Sequence, residues 1–365
     1  MYFDNAATTK VAPEVVEAMH PYWVEHYGNA ASRFHAYGWA AEEAIEEARG
    51  QVARSLGALP SEIVFTSGAS ESLQLLFMGW INAGGGELTT LQSEHSVVLD
   101  LAHWAESQGK KVQYLPVDAQ GNLPETTPIA GKPDLFVIMW GNNEIGTCHD
   151  LSFWVHRIKA EFPDCWVACD ATQAVGKVPI SFHTSGLDFL VGSGHKFHGP
   201  KGVGFLCIRE GIDFYPWRRR NRQEKGRRSG TVAVPLVVGL AKAIQLPHEG
   251  AQITSLRDQL ESKILRQIPE VRVNGNMRFR LPHITSLTFP EVNGEMLFQR
   301  LTRIAVSNGS ACTSAEVLPS HVLKAIGLCD ADAESTVRFS LSRYTTQAEV
   351  DDACEHLIQV ISKIR

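Results

Sequence analysis

Ser193-Gly-His-Lys-Phe-His-Gly-Pro-Lys-Gly202 follows the apolar run Phe189-Leu-Val191. That run reads as a buried strand, so the polar groups behind it emerge at a strand's carboxyl end. Lys196 stands there beside His195, His198 and Lys201. Neighbouring positive charge and burial lower an amine's pKa, and an amine so lowered is nucleophilic enough for a Schiff base. Taken alone, the loop is better read as a pair of solvated lysines. Its surroundings change that reading.

Working outward, short β-branched runs alternate with helical patterns from residue 62 onward, which predicts parallel strands covered by helices. The strands are expected at 62–66, 88–92, 112–116, 134–140, 166–170, 188–192 and 202–208. Residues 12–50 read as helical around a polar turn at 28–35. Several of the strands run into polar residues with no work to do in a core: Thr66-Ser-Gly-Ala-Ser-Glu-Ser72, Ser93-Glu-His95, Asn142-Asn-Glu144 and Asp170-Ala-Thr-Gln173. Ligands of open α/β sheets lie outside the carboxyl ends of the strands, so Ser70, His95, Asn143, Asp170, Gln173 and Lys196 are expected to converge on one crevice. The turn at Gly68-Ala69-Ser70 opens a helix whose free N–H groups suit a phosphate, although a capped surface helix has the same local signature. Asp170 ends an apolar strand, where a lone carboxylate is costly unless paired; a protonated heterocyclic nitrogen is one such partner. In isolation, His95 reads as a helix-start histidine.

Past residue 235 the pattern turns to longer amphipathic helices with few strands, the mark of a second, α+β unit. We expect a large α/β domain over 12–250 and a small one made of 1–11 and 251–365. Thr346 and Glu349 form a capping box ahead of an apolar face at Val350, Ala353, Cys354, Leu357, Ile358 and Ile361. The loop Val306-Ser-Asn-Gly-Ser-Ala-Cys-Thr-Ser-Ala315 is small and polar, which suits a reactive thiol at Cys312; an incidental loop cysteine would look the same. Arg338 is read as the start of a strand, a candidate fork for a carboxylate or an ordinary surface arginine.

The 365 residues, 44% hydrophobic, suffice for a large core. A net charge of −6 argues against broad binding to nucleic acid or anionic membranes. No apolar run approaches the ~18 residues of a membrane span, and Met1-Tyr-Phe-Asp-Asn lacks the start of a signal peptide, so a cytoplasmic protein is expected. Seven scattered cysteines argue against a disulfide framework. Cys165 and Cys169 alternate as in a buried strand rather than a metal site, and no metal is expected.

With these residues in place, the chain resembles the NifS/IscS-type cysteine desulfurases of the class V aminotransferase family, which have the type I fold of pyridoxal phosphate enzymes. The resemblance runs from Tyr2-Phe-Asp-Asn-Ala-Ala-Thr-Thr9 to Arg338-Phe-Ser-Leu-Ser-Arg343 through TSGASES, SEHSVVLD, NNEIG, DATQAVGK, SGHKFHGPKG, RRSGT and SNGSACTSAEVLPSHVLKAIG. It implies that Lys196 holds pyridoxal 5'-phosphate as a Schiff base, that His95 stacks on the ring and assists proton transfer, and that Asp170 pairs with the ring nitrogen. Gln173 and Asn143 would lie near the ring hydroxyl and the substrate. Ala69, Ser70, Ser193 and His195 would bind the phosphate, with Thr231 completing the site of a homodimer partner. Arg338 would hold the carboxylate of L-cysteine, and Cys312 would take its sulfur as a persulfide for a protein acceptor, in iron-sulfur cluster assembly or another thiolation pathway. One departure stands out. Arg220-Asn-Arg222, within Arg218-Arg-Arg-Asn-Arg222, replaces the family's glycine triplet before Gln223-Glu224. Competing readings are a β-lyase, selenocysteine lyase or aminotransferase on the same site, and a non-catalytic paralogue that binds partners.

Overall fold

The computed structural model describes residues 1–216, 223–247, 250–309 and 319–365. A seven-stranded sheet organises the larger part: β1 (Ile63–Thr66), β2 (Glu87–Leu91), β3 (Lys111–Leu115), β4 (Leu135–Met139), β5 (Trp166–Asp170), β6 (Phe189–Ser193) and β7 (Gly204–Ile208). Their order is β1-β7-β6-β5-β4-β2-β3. Helices cover both faces, so β4, β6 and β7 are buried along their whole length and read as unbroken apolar runs. The long helix Ala36–Leu56 packs with Val234–Ile244 over one face, in the cluster containing Ile45, Val52, Phe136, Leu190 and Leu240. The helices Ala69–Asn82 and Ser96–Ser107 cover the other, where Leu76, Phe77, Trp80 and Val98 meet Val137, Phe189 and Val191.

The sheet is mostly parallel, as expected, with one correction. β7 runs antiparallel to both β1 and β6. Only the residues 194–203 separate β6 from β7, and a parallel crossover needs a dozen or more with a helix. Reversing twice, β1 recovers the direction of β6. The carboxyl ends of β1, β4, β5 and β6 therefore share one edge of the sheet.

A second sheet, β8 (Arg272–Asn274), β9 (Ile284–Thr288) and β10 (Thr336–Ser340), is antiparallel in the order β10-β9-β8. It packs with the helices Gly250–Gln267 and Gln347–Ile364 around Leu260, Leu287, Phe289, Val337 and Leu357. The capping box at Thr346 and Glu349 is present, each side chain bonded to the other's backbone N–H. Arg338 lies in the middle of β10 rather than at its start, and is buried. The first residues of the chain join this sheet: Tyr2 bridges Ala305 and Asp4 bridges Ser340. Among the described residues, no helix is long and apolar enough to cross a membrane, and Cys148, Cys165, Cys169, Cys207, Cys329 and Cys354 are free thiols.

Candidate active site

β6 delivers Ser193 and the turn Gly194–Lys196 to the sheet edge. Lys196 Nζ donates to the carbonyl oxygens of Ala6 at 2.7 Å and Ala7 at 2.8 Å. The same N-terminal segment is fastened to the turn by Thr9, whose N and Oγ1 both donate to the His195 carbonyl at 2.9 Å. Behind the turn, Lys177 Nζ donates to the Lys196 carbonyl at 2.9 Å. Burial, helped by the Lys196 ammonium, pushes the Lys177 amine down to about 7. His195 Nδ1 meets Thr8 Oγ1 at 3.2 Å. Its imidazole is pushed down to about 4, first by burial and then by Lys196, Lys201 and Lys177, and so stays neutral at physiological pH.

Across the cleft, β1 ends at Thr66 and the helix Ala69–Asn82 begins at once. Its N-cap is Gly68 at φ 152°, ψ −179°, a conformation open essentially to glycine alone. The amides of Ala69, Ser70 and Glu71 belong to the first helical turn and have no carbonyl one turn earlier to pair with.

Asp170 closes β5 and is buried; its Oδ1 accepts from Thr172 N at 2.9 Å. His95 caps the helix Ser96–Ser107, its Nδ1 accepting from Val97 N at 3.2 Å. Burial lowers the His95 pKa against the pull of Asp170, with Lys196 and His321 pushing the same way as burial. Gln173 is buried, donating from Nε2 to the Ala6 carbonyl at 2.9 Å. Arg338 donates from Nη1 to the Asn143 carbonyl at 2.9 Å and from Nη2 to Asp4 Oδ1 at 2.7 Å, while its buried Nε has no partner.

These groups line one cleft of about 670 Å³, which brings together Ala69, Ser70, His95, Asn143, Asp170, Gln173, Ser193, His195, Lys196 and Arg338. Thr231 is exposed and not on its wall. Cys312 lies outside the described residues, between Gly309 and Pro319, which both line the cleft.

The cleft also holds residues that the sequence reading passed over. Glu144 is buried and accepts a hydrogen bond from Ser320 Oγ. Burial raises its pKa against the opposing pull of Ser320, His321 and Arg338. His321 Nε2 lies 2.7 Å from the Glu94 carbonyl, which can only accept, so that nitrogen carries the proton. Glu144 follows Asn143 directly at a strand's end, the signal that pointed to Asn143 itself. Asp4, Ala6 and Ala7 carried no such signal, since nothing local places the N-terminus over Lys196.

The class-V aminotransferase model matches residues 1–352. The chain belongs to the class-V aminotransferase family. A cysteine desulfurase of Trichormus azollae is 42% identical over 377 aligned positions that cover 100% of this chain and 94% of that protein. Among solved structures, a NifS-like protein superposes with a TM-score of 0.91 at 34% identity, covering 100% of this chain and 99% of that one. A structure described as SspA in complex with cysteine superposes at 0.83 and 34% identity, over 94% of this chain and 99% of that one. The fold is therefore the type I fold of NifS-like enzymes, and the cleft lies at the edge of its parallel sheet.

Proposed function

We propose that the protein is a pyridoxal 5'-phosphate-dependent L-cysteine desulfurase. The observation that carries this reading is one cleft in which a lysine amine, a buried carboxylate and an open helix start face a buried arginine. These residues fit the cofactor. Lys196 would hold it covalently, Asp170 would accept from its ring nitrogen, and the 69–71 amides with Ser70, Ser193 and His195 would take its phosphate. Thr231, exposed in one chain, would reach the phosphate of a second copy. Gln173 and Asn143 would border the ring hydroxyl and the substrate. When bound, the cofactor supplies an electron sink for the carbon that bears the substrate amine.

The chain's own groups account for the remainder. Arg338, on the cleft wall, receives the substrate carboxylate, which orients the amino acid. His95, with its lowered pKa, is a neutral base beside Lys196. Cys312 as thiolate attacks the substrate sulfur; the carbon–sulfur bond breaks, a sulfur–sulfur bond forms, and the thiol proton of Cys312 is balanced by one arriving on the β-carbon of alanine. The persulfide then passes to a protein acceptor, in iron-sulfur cluster assembly or another thiolation.

We take 12–250 as the cofactor-binding domain and 1–11 with 251–365 as the domain that supplies Arg338 and Cys312. Trp23, Tyr27, Phe34, Tyr37 and Trp39 are all more than half exposed, Phe34 at 96%. Such a patch calls for cover, and a homodimer supplies it. A cytoplasmic location accords with free thiols buried in the core.

The test is to incubate the purified protein with L-cysteine and a thiol and to measure sulfide and alanine together. Equal yields support the reading, while sulfide without alanine would make the protein a lyase. Lys196→Ala should lose borohydride-reducible cofactor; a variant that keeps it would remove that assignment. Cys312→Ser should retain cofactor and release almost no sulfide.

A further inference from the structure

The first turn of the helix Ala69–Asn82 carries its own negative charge. Glu71 lines the cleft, and its Oε2 accepts from Ser67 N just ahead of the N-cap. A carboxylate in that turn, left uncompensated, repels a phosphate dianion. Opposite it stands Arg228 of the Arg227-Arg-Ser-Gly-Thr231 run, which donates from Nε to Glu71 Oε1 at 2.9 Å and from Nη2 to Glu71 Oε2 at 3.3 Å. Both side chains are largely buried, at 19% and 24% exposure, so solvent screens the pair only in part. Burial tends to raise the Glu71 pKa, but hydrogen bonds from Arg228 and Ser67 prevail and lower it, so the carboxylate stays charged.

We infer that Arg228 is a positioning residue of the anion site: its two-pronged grip turns the Glu71 carboxylate back onto Ser67 N–H and cancels its charge, leaving the amides of residues 69–71 for the phosphate. Arg228 does not itself line the cleft. It acts through Glu71. The inference rests on the pyridoxal phosphate reading of the cleft.

Pyridoxal, which lacks the phosphate, separates this role from a merely structural one. The apo-protein is titrated with pyridoxal 5'-phosphate and with pyridoxal, and the ratio of the two dissociation constants is the readout. Arg228→Gln should reduce the preference for the phosphorylated form by about tenfold or more, because an uncompensated carboxylate then faces the phosphate, while pyridoxal binding is kept. Glu71→Gln should hold or increase that preference, and Glu71→Gln with Arg228→Gln should restore it. An unchanged ratio in Arg228→Gln, or equal losses for both ligands, would overturn the inference. If Arg228→Gln does not fold, a reduced preference in Glu71→Gln overturns it as well. A wild-type protein that binds neither ligand would instead sink the cofactor reading on which it stands.

Discussion

Replacing Glu224 with leucine should cost the protein about 3–5 kcal/mol, the penalty for removing one partner of a buried ion pair. Arg49 reaches across from the helix Ala36–Leu56 and grips Glu224 with both prongs, Nη1 to Oε2 and Nη2 to Oε1, each at 2.9 Å. The two side chains are 6% and 2% exposed, so water does little of the work. Burial works to lower the Arg49 pKa, but the bonds to Glu224 and Glu46 raise it overall. Glu224 Oε2 also accepts from Phe65 N at 2.9 Å, so the substitution strands an amide of β1 as well as a guanidinium. Arg49 would keep the Ile63 carbonyl, the exposed Glu46 and the face of the Phe65 ring. Leucine keeps much of the volume and carries about the same backbone cost at φ 43°. Urea unfolding at one fixed protein concentration measures the loss. Arg49→Met combined with Glu224→Leu should recover most of it, because no buried charge is then left alone. A loss below about 1 kcal/mol in Glu224→Leu would refute the reasoning, since it would place the pair in effective contact with water.

Arg338→Lys should raise the KM for cysteine by about tenfold or more with a smaller effect on kcat, because an ammonium cannot hold the Asn143 carbonyl, Asp4 and a carboxylate in one plane. An unchanged KM would move carboxylate recognition elsewhere. Stability should also fall with acid. His195 and His198 are pushed down to about 4 in the folded chain by burial first, from an ordinary value of 6.5. The unfolded chain therefore takes up protons first, so this contribution is complete above about pH 6.5 and drains away as pH falls towards 4. His198→Asn, a residue that tolerates the φ of 68° there, should flatten the urea midpoint against pH over that window. A slope equal to wild type would contradict it.

Much of this was legible because the large sheet is buried on both faces. Runs such as Leu135-Phe-Val-Ile-Met139 announce themselves as strands, and the polar residues behind them mark one edge of the sheet. Strand direction was the weaker inference. The run at 202–208 reads like the parallel strands, but the ten residues ahead of β7 cannot hold a crossover helix, so connection length already contains the answer. The pattern puts Arg338 at the start of a strand, as a candidate fork or an ordinary surface arginine, whereas it lies inside β10. The structure gives it two acceptors there, which nothing within ten residues of it reveals. Glu71 and Arg228 were hidden for the same reason: 157 residues separate them.

The N-terminal segment explains why the cleft could not be built from its walls alone. Asp4 pairs with Arg338 and bridges Ser340 on β10, while Ala6 and Ala7 hold Lys196 and Thr9 holds the His195 carbonyl. The cation proposed for the substrate and the amine proposed for the cofactor thus take their positions from six consecutive residues, 4–9. Those contacts join residues 334 and 190 positions apart, and loops of that length close late because their ordering entropy must be met before their contacts form. A chain with both sheets folded but this segment unpaired would keep its two hydrophobic cores around the sheets and lose the alignment between Lys196 and Arg338. Positioning errors of about 1 Å are enough to cost catalysis about a hundredfold, so activity belongs to the completed chain and to neither sheet by itself.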